Sequence, residues 1–253
     1  MSGVKEVIKM DKKTVIVTGS SLGLGASIIK EFAKNDFNVV INYVNHEKEA
    51  NELKKEVEKY NIKALCIKCD ITNEKEINDM FNQVMKEFKR IDVLVNNAGI
   101  AIDTLFDDKT KDNFMRTLEV NLVGTFLVSR VFGNQMYKQK EGQIINISSN
   151  NGIDQYYEYS LDYDASKAGV INLTHNLSKH YSPYVRVNCI CPGWINTNMN
   201  KDMDKEYKKN EENKILLKRF ANPDEIAHDI YNISTSTYMN DSIIRIDGGV
   251  SNE

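Results

Sequence analysis

The stretch TVIVTGSSLGLG, residues 14–25, begins as a short apolar run and ends in a turn that contains Gly19, Gly23 and Gly25. A strand, a glycine-rich turn and a helix start form a phosphate-binding element, because the first helical N–H groups lack partners and carry the positive end of the helix dipole. The spacing G-x-x-x-G-x-G differs from the usual dinucleotide pattern, and no Lys-Ser/Thr pair follows that would make a P-loop. Three glycines taken alone could also form an ordinary turn.

In the phosphate-binding interpretation, each glycine has its own task. Gly19 permits the sharp exit from the strand, and Gly23 lets the backbone approach a pyrophosphate closely. Gly25 lets the helix pack tightly against the sheet.

Apolar runs of strand length alternate with helical stretches from this turn to the end of the chain. The predicted strands cover residues 14–18, 38–43, 64–70, 91–97, 142–149, 185–193 and 242–249. The predicted helices run from the turn to about residue 34, then over 46–60, 74–89, about 109–137 and about 161–180, with a last one from about residue 224. This alternation predicts an α/β fold, a single doubly wound Rossmann domain over residues 1–253 with a parallel sheet between helices.

One polar stretch interrupts this pattern in the second half of the chain. Residues 196–214 read NTNMNKDMDKEYKKNEENK, which is too polar for a core element. We expect it to form a mobile flap over a site.

Composition excludes several classes of function. The chain has 253 residues, 41% of them hydrophobic, and a formal net charge of −3, so no basic excess points to nucleic acid. No apolar run has the length of a membrane span or a signal peptide, so we expect a cytoplasmic protein. The four cysteines lie within apolar, strand-like runs, which predicts reduced, buried thiols and no metal site. These are Cys66, Cys69, Cys189 and Cys191.

The end of the second predicted strand bears on the choice of dinucleotide. An acidic residue near this point would hold the ribose hydroxyls of NAD. Tyr43 stands there instead, and no acid follows before Glu47. Without a carboxylate to repel a 2′-phosphate, we favour NADP(H), while NAD(H) stays possible. His46 is better explained as an exposed residue at a helix start than as a ligand.

Four tyrosines crowd into the stretch QYYEYSLDYDASKAG, residues 155–169. A phenol has an ordinary pKa near 10, and a nearby cation would lower it toward a useful range. Residues four apart share one face of a helix, and only Tyr163 has a lysine there, Lys167. This spacing predicts that Tyr163 transfers the proton. The other three tyrosines are interpreted as pocket walls or packing.

The strand before these tyrosines ends in NISSNNG. A serine at the carboxyl end of a parallel strand faces the crevice where ligands bind, and it could stabilise developing negative charge on a carbonyl oxygen. For either Ser148 or Ser149 taken alone, capping of a turn is the better explanation.

Several motifs together resemble the short-chain dehydrogenase/reductase family, and the branch of bacterial 3-oxoacyl-acyl-carrier-protein reductases most of all. They occur in the family's order across essentially the whole chain. They are TGSSLGLG, NNAG (96–99), VNLVGTF (120–126), ISS (147–149), YDASK (163–167) and PGWINT (192–197). The resemblance implies a seven-stranded sheet and a homotetramer.

The resemblance also assigns roles to residues. Tyr163 would be the acid/base, Lys167 would lower its pKa and bind the nicotinamide ribose, Ser149 would orient the carbonyl, and Asn121 would hold a water in a proton relay. Asp70 and Ile71 would flank the adenine, and Ile195 and Thr197 would meet the carboxamide. The implied cofactor-binding set is Gly19, Ser21, Leu22, Gly23, Gly25, Tyr43, Asp70, Ile71, Asn97, Gly99, Tyr163, Lys167, Pro192, Gly193, Ile195 and Thr197.

The implied reaction interconverts a ketone and a secondary alcohol with NADP(H). A 3-oxoacyl thioester is the first substrate hypothesis, with an acyl carrier protein as a possible partner. A sugar, polyol or other secondary alcohol is the alternative, and a dinucleotide-binding redox sensor without turnover is a more distant one. Departures from the carrier-protein branch bear on the substrate. Ser160 replaces a common glutamine, and Tyr184 replaces an expected arginine, although Lys140 remains basic.

Overall fold

A parallel sheet of seven strands runs through the computed structural model, which describes residues 12–197 and 203–250. The strands are β1 (Thr14–Val17), β2 (Asn38–Tyr43), β3 (Ala64–Lys68), β4 (Val93–Asn96), β5 (Gly142–Ile147), β6 (Val185–Pro192) and β7 (Ile243–Ile246). Their order is β3-β2-β1-β4-β5-β6-β7, and every neighbouring pair is parallel. The predicted doubly wound Rossmann fold is confirmed.

The helices lie on both faces of this sheet. They are α1 (Gly23–Lys34), α2 (Glu47–Val57), α3 (Glu74–Phe88), α4 (Lys111–Leu118), α5 (Thr125–Gln139), α6 (Leu161–Tyr181), α7 (Lys205–Lys214) and α8 (Pro223–Thr235). Side chains alternate between the faces of a strand, so Val15 and Val17 join one hydrophobic core while Ile16 joins the other. Burial on both faces explains why the strands read as continuous Val/Ile runs.

The strand order reverses beside β1, and this reversal positions the site. The chain passes from β1 outward through β2 and β3, and then returns to the other side of β1 as β4. Loops leaving β1 and β4 therefore diverge above the carboxyl ends of these strands. Ligands of open α/β sheets bind in the crevice at such a point.

The long helical region predicted over about 109–137 is present, but it is not one regular α-helix. Two α-helices, α4 and α5, are joined there by a π-helical segment, Glu119–Gly124. A π segment inserts an extra residue into the helical hydrogen-bond ladder, often at a functional site. The apolar periodicity passes through such an insertion, so the pattern gave no sign of it.

The predicted flap, 196–214, contains helix α7. The Asp204 carboxylate caps this helix by accepting hydrogen bonds from the N–H groups of Glu206 and Tyr207. The helix is also anchored, because Trp194 Nε1 donates to Glu211 Oε2 at 3.2 Å. Residues 198–202 lie outside the described residues, and the mobility of the flap stays a prediction.

Two features are absent from the part of the chain that the structure describes. No helix between residues 12 and 250, apart from the gap at 198–202, is long and apolar enough to span a membrane. Over the same ranges, no three His, Cys, Asp or Glu side chains are grouped so that they could hold a metal ion. The four cysteines are free thiols, and three of them are buried.

Candidate active site

The glycine turn after β1 has the backbone conformation that the sequence predicted. Gly19 and Gly23 have φ of +61° and +57°, in the left-handed region that favours glycine. A Cβ on Gly19 would lie 2.9 Å from the Ala98 Cα in the loop after β4. Helix α1 begins at Gly23 with no side-chain cap at Leu22 and no acidic residue in its first turn. Its first N–H groups are therefore free to bind an anion, which fits a dinucleotide pyrophosphate.

Side chains from other strands hold this turn in place. Asn97 Nδ2 donates to the carbonyls of Thr18 and Gly19, each at 3.0 Å. The Gly19 N–H donates to Asn42 Oδ1 at 3.0 Å. The sequence predicted Asn97 but missed Thr18 and Asn42. Asn42 could have been noticed, because it is the one polar residue within the run VVINY.

The residues predicted to meet the adenosine lie at the ends of β2 and β3. Asp70 Oδ1 accepts hydrogen bonds from the Thr72 N–H and hydroxyl. Burial opposes ionisation of Asp70, but these bonds and the Arg116 guanidinium outweigh it and lower the pKa of the carboxyl. Ile71 is buried against Gly124, where a Cβ would lie 2.7 Å from its Cδ1.

Tyr43 ends β2 with its ring almost fully buried. Burial raises the pKa of its phenol, and so does its interaction with the Glu47 carboxylate, which hydrogen-bonds the hydroxyl. Glu47, the first acidic residue after the end of β2, therefore interacts with this tyrosine. Ser21 is buried in the glycine turn, and Val44 is exposed.

The residues predicted to meet the nicotinamide follow β6. The Gly193 N–H donates to the Ile246 carbonyl at 3.1 Å, and the Thr197 N–H donates to the Ile195 carbonyl at 2.9 Å. A Cβ on Gly23 would lie 3.6 Å from the Thr197 Cβ, so this segment meets the glycine turn across the crevice. Pro192, the last residue of β6, precedes it.

Tyr163 and Lys167 lie one turn apart in α6, as the spacing predicted. The Lys167 Nζ lies 5.3 Å from the centroid of the Tyr163 ring. The same ammonium donates to the Ile147 carbonyl at 2.9 Å, and the lysine is buried. Ser149 hydrogen-bonds the Tyr163 phenol. Its hydroxyl also accepts from the Asn151 N–H at 3.2 Å, so this serine both caps a turn and faces the tyrosine.

The electrostatics of Tyr163 correct one expectation. Lys167 was expected to lower the pKa of the phenol, but burial raises it to about 12. The bond to Ser149 opposes this rise, whereas the carboxylates of Asp164 and Asp103 add to it. Burial also lowers the pKa of Lys167, to about 8. The i, i+4 spacing placed the two groups together, but desolvation of both outweighs their mutual attraction.

The other tyrosines of the 155–169 stretch lie in the segment before helix α6. Tyr156 is 88% exposed. Tyr157 and Tyr159 form an edge-to-face pair with centroids 5.2 Å apart, and Tyr157 also contacts Tyr207 of α7. The ring contacts of Tyr157 and Tyr159 agree with the interpretation as packing, whereas the exposure of Tyr156 does not.

Asn121 lies within the π segment, and its side chain is fully engaged. Its Oδ1 accepts from the Ile100 N–H at 2.8 Å, and its Nδ2 donates to the Ile100 carbonyl and to Ser166 Oγ. Gly99 lies beside it, since a Cβ there would be 3.2 Å from Asn121 Oδ1 and 3.6 Å from Lys167 Nζ. The loop after β4, the π segment and α6 thus meet at one point.

Residues 13–208 match the family model described as short chain dehydrogenase. The chain belongs to the short-chain dehydrogenase family. It is 34% identical over 246 residues to a 3-oxoacyl-[acyl-carrier-protein] reductase of Aquifex aeolicus, which covers 96% of this chain and 99% of the relative. It is 32% identical over 247 residues to glucose 1-dehydrogenase 2 of Bacillus subtilis, at 94% and 95% coverage.

A solved structure agrees with this assignment. The crystal structure of a 3-oxoacyl-[acyl-carrier protein] reductase from Brucella melitensis superposes with a TM-score of 0.87 and 26% identity, over 95% of this chain and 92% of that one. As a member of the short-chain dehydrogenases, the chain is an oxidoreductase that uses a nicotinamide dinucleotide. The free N–H groups of α1 and the close packing at Gly19 and Gly25 fit such a cofactor.

Proposed function

We propose that this short-chain dehydrogenase reduces a ketone to a secondary alcohol, and the reverse, with Tyr163 as the proton donor. The observation that carries the proposal is the arrangement of three side chains at the carboxyl edge of the sheet. Ser149 bonds the Tyr163 phenol, and the Lys167 ammonium lies over the ring at 5.3 Å. These groups lie beside the crevice where the glycine turn would hold the dinucleotide.

In this proposal the cofactor, when bound, supplies or accepts the hydride, and the protein handles the proton. The Ser149 hydroxyl donates a hydrogen bond to the substrate carbonyl, and Tyr163 gives its proton to the same oxygen. With a pKa near 12, the phenol is protonated at neutral pH, which suits reduction. Lys167 stabilises the phenolate that is left behind.

We propose NADP(H) as the cofactor. The first carboxylate after Tyr43 is that of Glu47, at the start of α2, so no acidic residue stands at the end of β2 itself, where it would most strongly repel a 2′-phosphate. Asn45 and His46 are exposed at this strand end and are able to face a phosphate. Fluorescence titration with NADPH and NADH tests the proposal, and tighter binding of NADH would contradict it.

For the substrate, we propose a 3-oxoacyl thioester. Support comes from the similarity to 3-oxoacyl-[acyl-carrier-protein] reductases and from two exposed apolar side chains that line a groove beside Tyr159, Leu105 and Phe106. A sugar or polyol is the second candidate, favoured by a specific feature. The open groove of about 420 Å³ beside Phe106 is also lined by Asp107, Asp108 and Glu158, which could bind hydroxyl groups.

A substrate panel tests both candidates. NADPH oxidation is measured with 3-oxoacyl thioesters on a neutral thiol, on coenzyme A and on an acyl carrier protein. NADP⁺ reduction is measured with sugars and polyols. Turnover of the thioesters alone supports the first proposal, and turnover of sugars alone supports the second. Background rates with the entire panel would reject the proposed reaction.

Tyr163→Phe tests the assignment of the proton donor. The loss of the hydroxyl should lower turnover by about 10²-fold or more, the scale of general acid–base contributions, while NADPH still binds. Tyr238→Phe is the matched control, because it makes the same change at a tyrosine that is 99% exposed, and it should leave turnover unchanged. Turnover at the wild-type rate in Tyr163→Phe would reject the assignment.

We also propose that the chain forms a homotetramer and that it docks an acyl carrier protein. Exposed apolar side chains on α4, the π segment and α5 would be covered by a second copy. These are Met115, Val123, Phe126 and Tyr137. In the region where a carrier would dock, Lys140 lies 5.8 Å over the Tyr184 ring. Light scattering measures the mass, and a fourfold chain mass is expected.

A further inference from the structure

A buried ion pair lies next to the proposed proton donor. Lys109 Nζ donates to Asp162 Oδ1 at 2.8 Å, and their side chains are 5% and 0% exposed. The second carboxylate oxygen of Asp162 accepts from the Thr117 hydroxyl of α4 at 2.6 Å. Lys109 also donates to the Ile102 carbonyl in the loop after β4. The side chains of Lys109, Asp162 and Thr117 are thus hydrogen-bonded to other groups of the protein.

This cluster connects the loop after β4 to helix α6, and Asn121 makes a second connection between the same two elements one helical turn away. Asn121 joins Ile100 of the loop after β4 to Ser166 of α6. Lys109 joins Ile102 of the same loop to Asp162 of the same helix. Asp162 and Ser166 are four residues apart, so they share one face of α6.

These two connections flank the proposed catalytic residues. Tyr163 directly follows Asp162, and Lys167 directly follows Ser166. A shift of the first turn of α6 would therefore move the phenol relative to Ser149, which belongs to the loop after β5. We propose that Lys109, with Asp162 and Thr117, is a positioning residue that holds Tyr163 in register with the loop after β4 and with the substrate carbonyl. This inference rests on the proposed role of Tyr163.

Charge makes the pair more than a packing contact. Burial opposes ionisation of Asp162, but the Lys109 ammonium and the Thr117 hydroxyl outweigh it and lower the pKa of this carboxyl. The other charged groups around Tyr163 are Asp164 on α6, Asp103 in the loop after β4, and Lys167. Removing Lys109 would leave the buried Asp162 carboxylate without a cation and with the Thr117 hydroxyl as its remaining side-chain partner among the described residues, and α6 would have to shift to hydrate it.

The test uses Lys109→Met, with NADPH and the ketone that wild type reduces fastest. The value of kcat should fall by about 10- to 100-fold, because small misplacement of a catalytic group costs this much, while the Kd of NADPH changes less than about twofold. Lys109→Arg keeps the cation and its hydrogen bonds and should restore most of kcat. Arg90→Met is the matched control, because it breaks the Arg90–Asp92 pair at the opposite edge of the sheet. It should lower stability and leave kcat unchanged.

A double-mutant cycle separates positioning from general destabilisation. If Lys109 acts through Tyr163, Lys109→Met should have almost no further effect on the residual turnover of Tyr163→Phe. A kcat within twofold of wild type in Lys109→Met overturns the proposal, as does an equal loss in both backgrounds. If Lys109→Met does not fold, Thr117→Val removes only the 2.6 Å bond, and an unchanged kcat there overturns the proposal.

The same experiment distinguishes this inference from the proposed function. Wild type that turns over no ketone refutes the proposed function, and the positioning role falls with it. An active wild type with an impaired Tyr163→Phe and an unimpaired Lys109→Met refutes the positioning role alone.

Discussion

Replacing Gly25 by alanine should separate helix α1 from the glycine turn. A Cβ at this position would lie 2.6 Å from the Gly19 carbonyl oxygen and 2.7 Å from both the Ser20 Cα and the Asn97 Nδ2. Two of these three atoms belong to the backbone, so they cannot rotate away. The helix must therefore move, and Asn97 must give up its hydrogen bonds to the turn.

The magnitude follows from these contacts. Forcing an extra carbon into a close-packed position costs about 1–3 kcal/mol. The two bonds of Asn97 to Thr18 and Gly19 contribute about 1 kcal/mol each. Alanine offsets about 1 kcal/mol of this through its higher helix propensity. The free energy of unfolding should fall by about 2–4 kcal/mol, and the Kd of NADPH should rise at least about tenfold because α1 presents the anion-binding N–H groups.

Gly169→Ala is the matched control, because it makes the same change within another helix. A Cβ there would lie 2.8 Å from Leu122 Cδ2, the far end of a flexible side chain. Leu122 can change rotamer, so this variant should lose less than about 1 kcal/mol or gain stability. Urea unfolding and NADPH fluorescence titration measure both effects. Equal stability of Gly25→Ala and wild type, or equal destabilisation of the two variants, would refute the reasoning.

Three further predictions follow from buried or paired groups. The pKa of Lys167 is lowered from 10.5 to about 8, so the unfolded chain binds more protons than the folded chain between these pH values, and this group should stabilise the wild type as pH rises through them. Urea unfolding at pH 7, 9 and 10.5 should show this gain in wild type but not in Lys167→Met. The same dependence of unfolding free energy on pH in both proteins would contradict the prediction. Glu47→Gln removes the carboxylate that interacts with Tyr43. It should strengthen NADPH binding by about threefold to tenfold, with little change for NADH, because one surface charge fewer repels the 2′-phosphate. Equal effects on the two cofactors would show that Glu47 does not lie near the 2′-phosphate. Asn42→Ala removes a buried side chain and leaves the partly buried Gly19 N–H without its acceptor. It should cost about 1–3 kcal/mol in urea unfolding and weaken NADPH binding, and an unchanged Kd would show that this bond does not shape the turn.

Local patterns predicted much of the fold and of the candidate site. Strand β2 has the predicted bounds, and the other strands differ from the predicted ones by a few residues at their ends. The glycine turn has left-handed backbone at Gly19 and Gly23, because no other residue adopts that conformation as easily. Tyr163 and Lys167 meet because four residues make about one helical turn.

Features that depend on distant segments were not predicted. The Lys109–Asp162 pair joins residues 53 positions apart, and nothing in either local sequence indicates it. The π segment around Asn121 breaks a helix whose apolar periodicity looks continuous. Thr18 has no local sign of its role, and Asn42 is marked only as a polar residue within an apolar strand. That both hold the glycine turn follows from the tertiary structure.

The sequence by itself determined which elements form, where the phosphate-binding turn lies and which tyrosine has a lysine on its own helical face. These properties depend on backbone geometry over a few residues, and each is readable from spacing. Only the tertiary structure decided that Tyr163 has a raised pKa and that a second lysine anchors its helix. Desolvation and buried pairing depend on what the rest of the chain packs around a group, and that environment is assembled from loops and helices far apart in sequence.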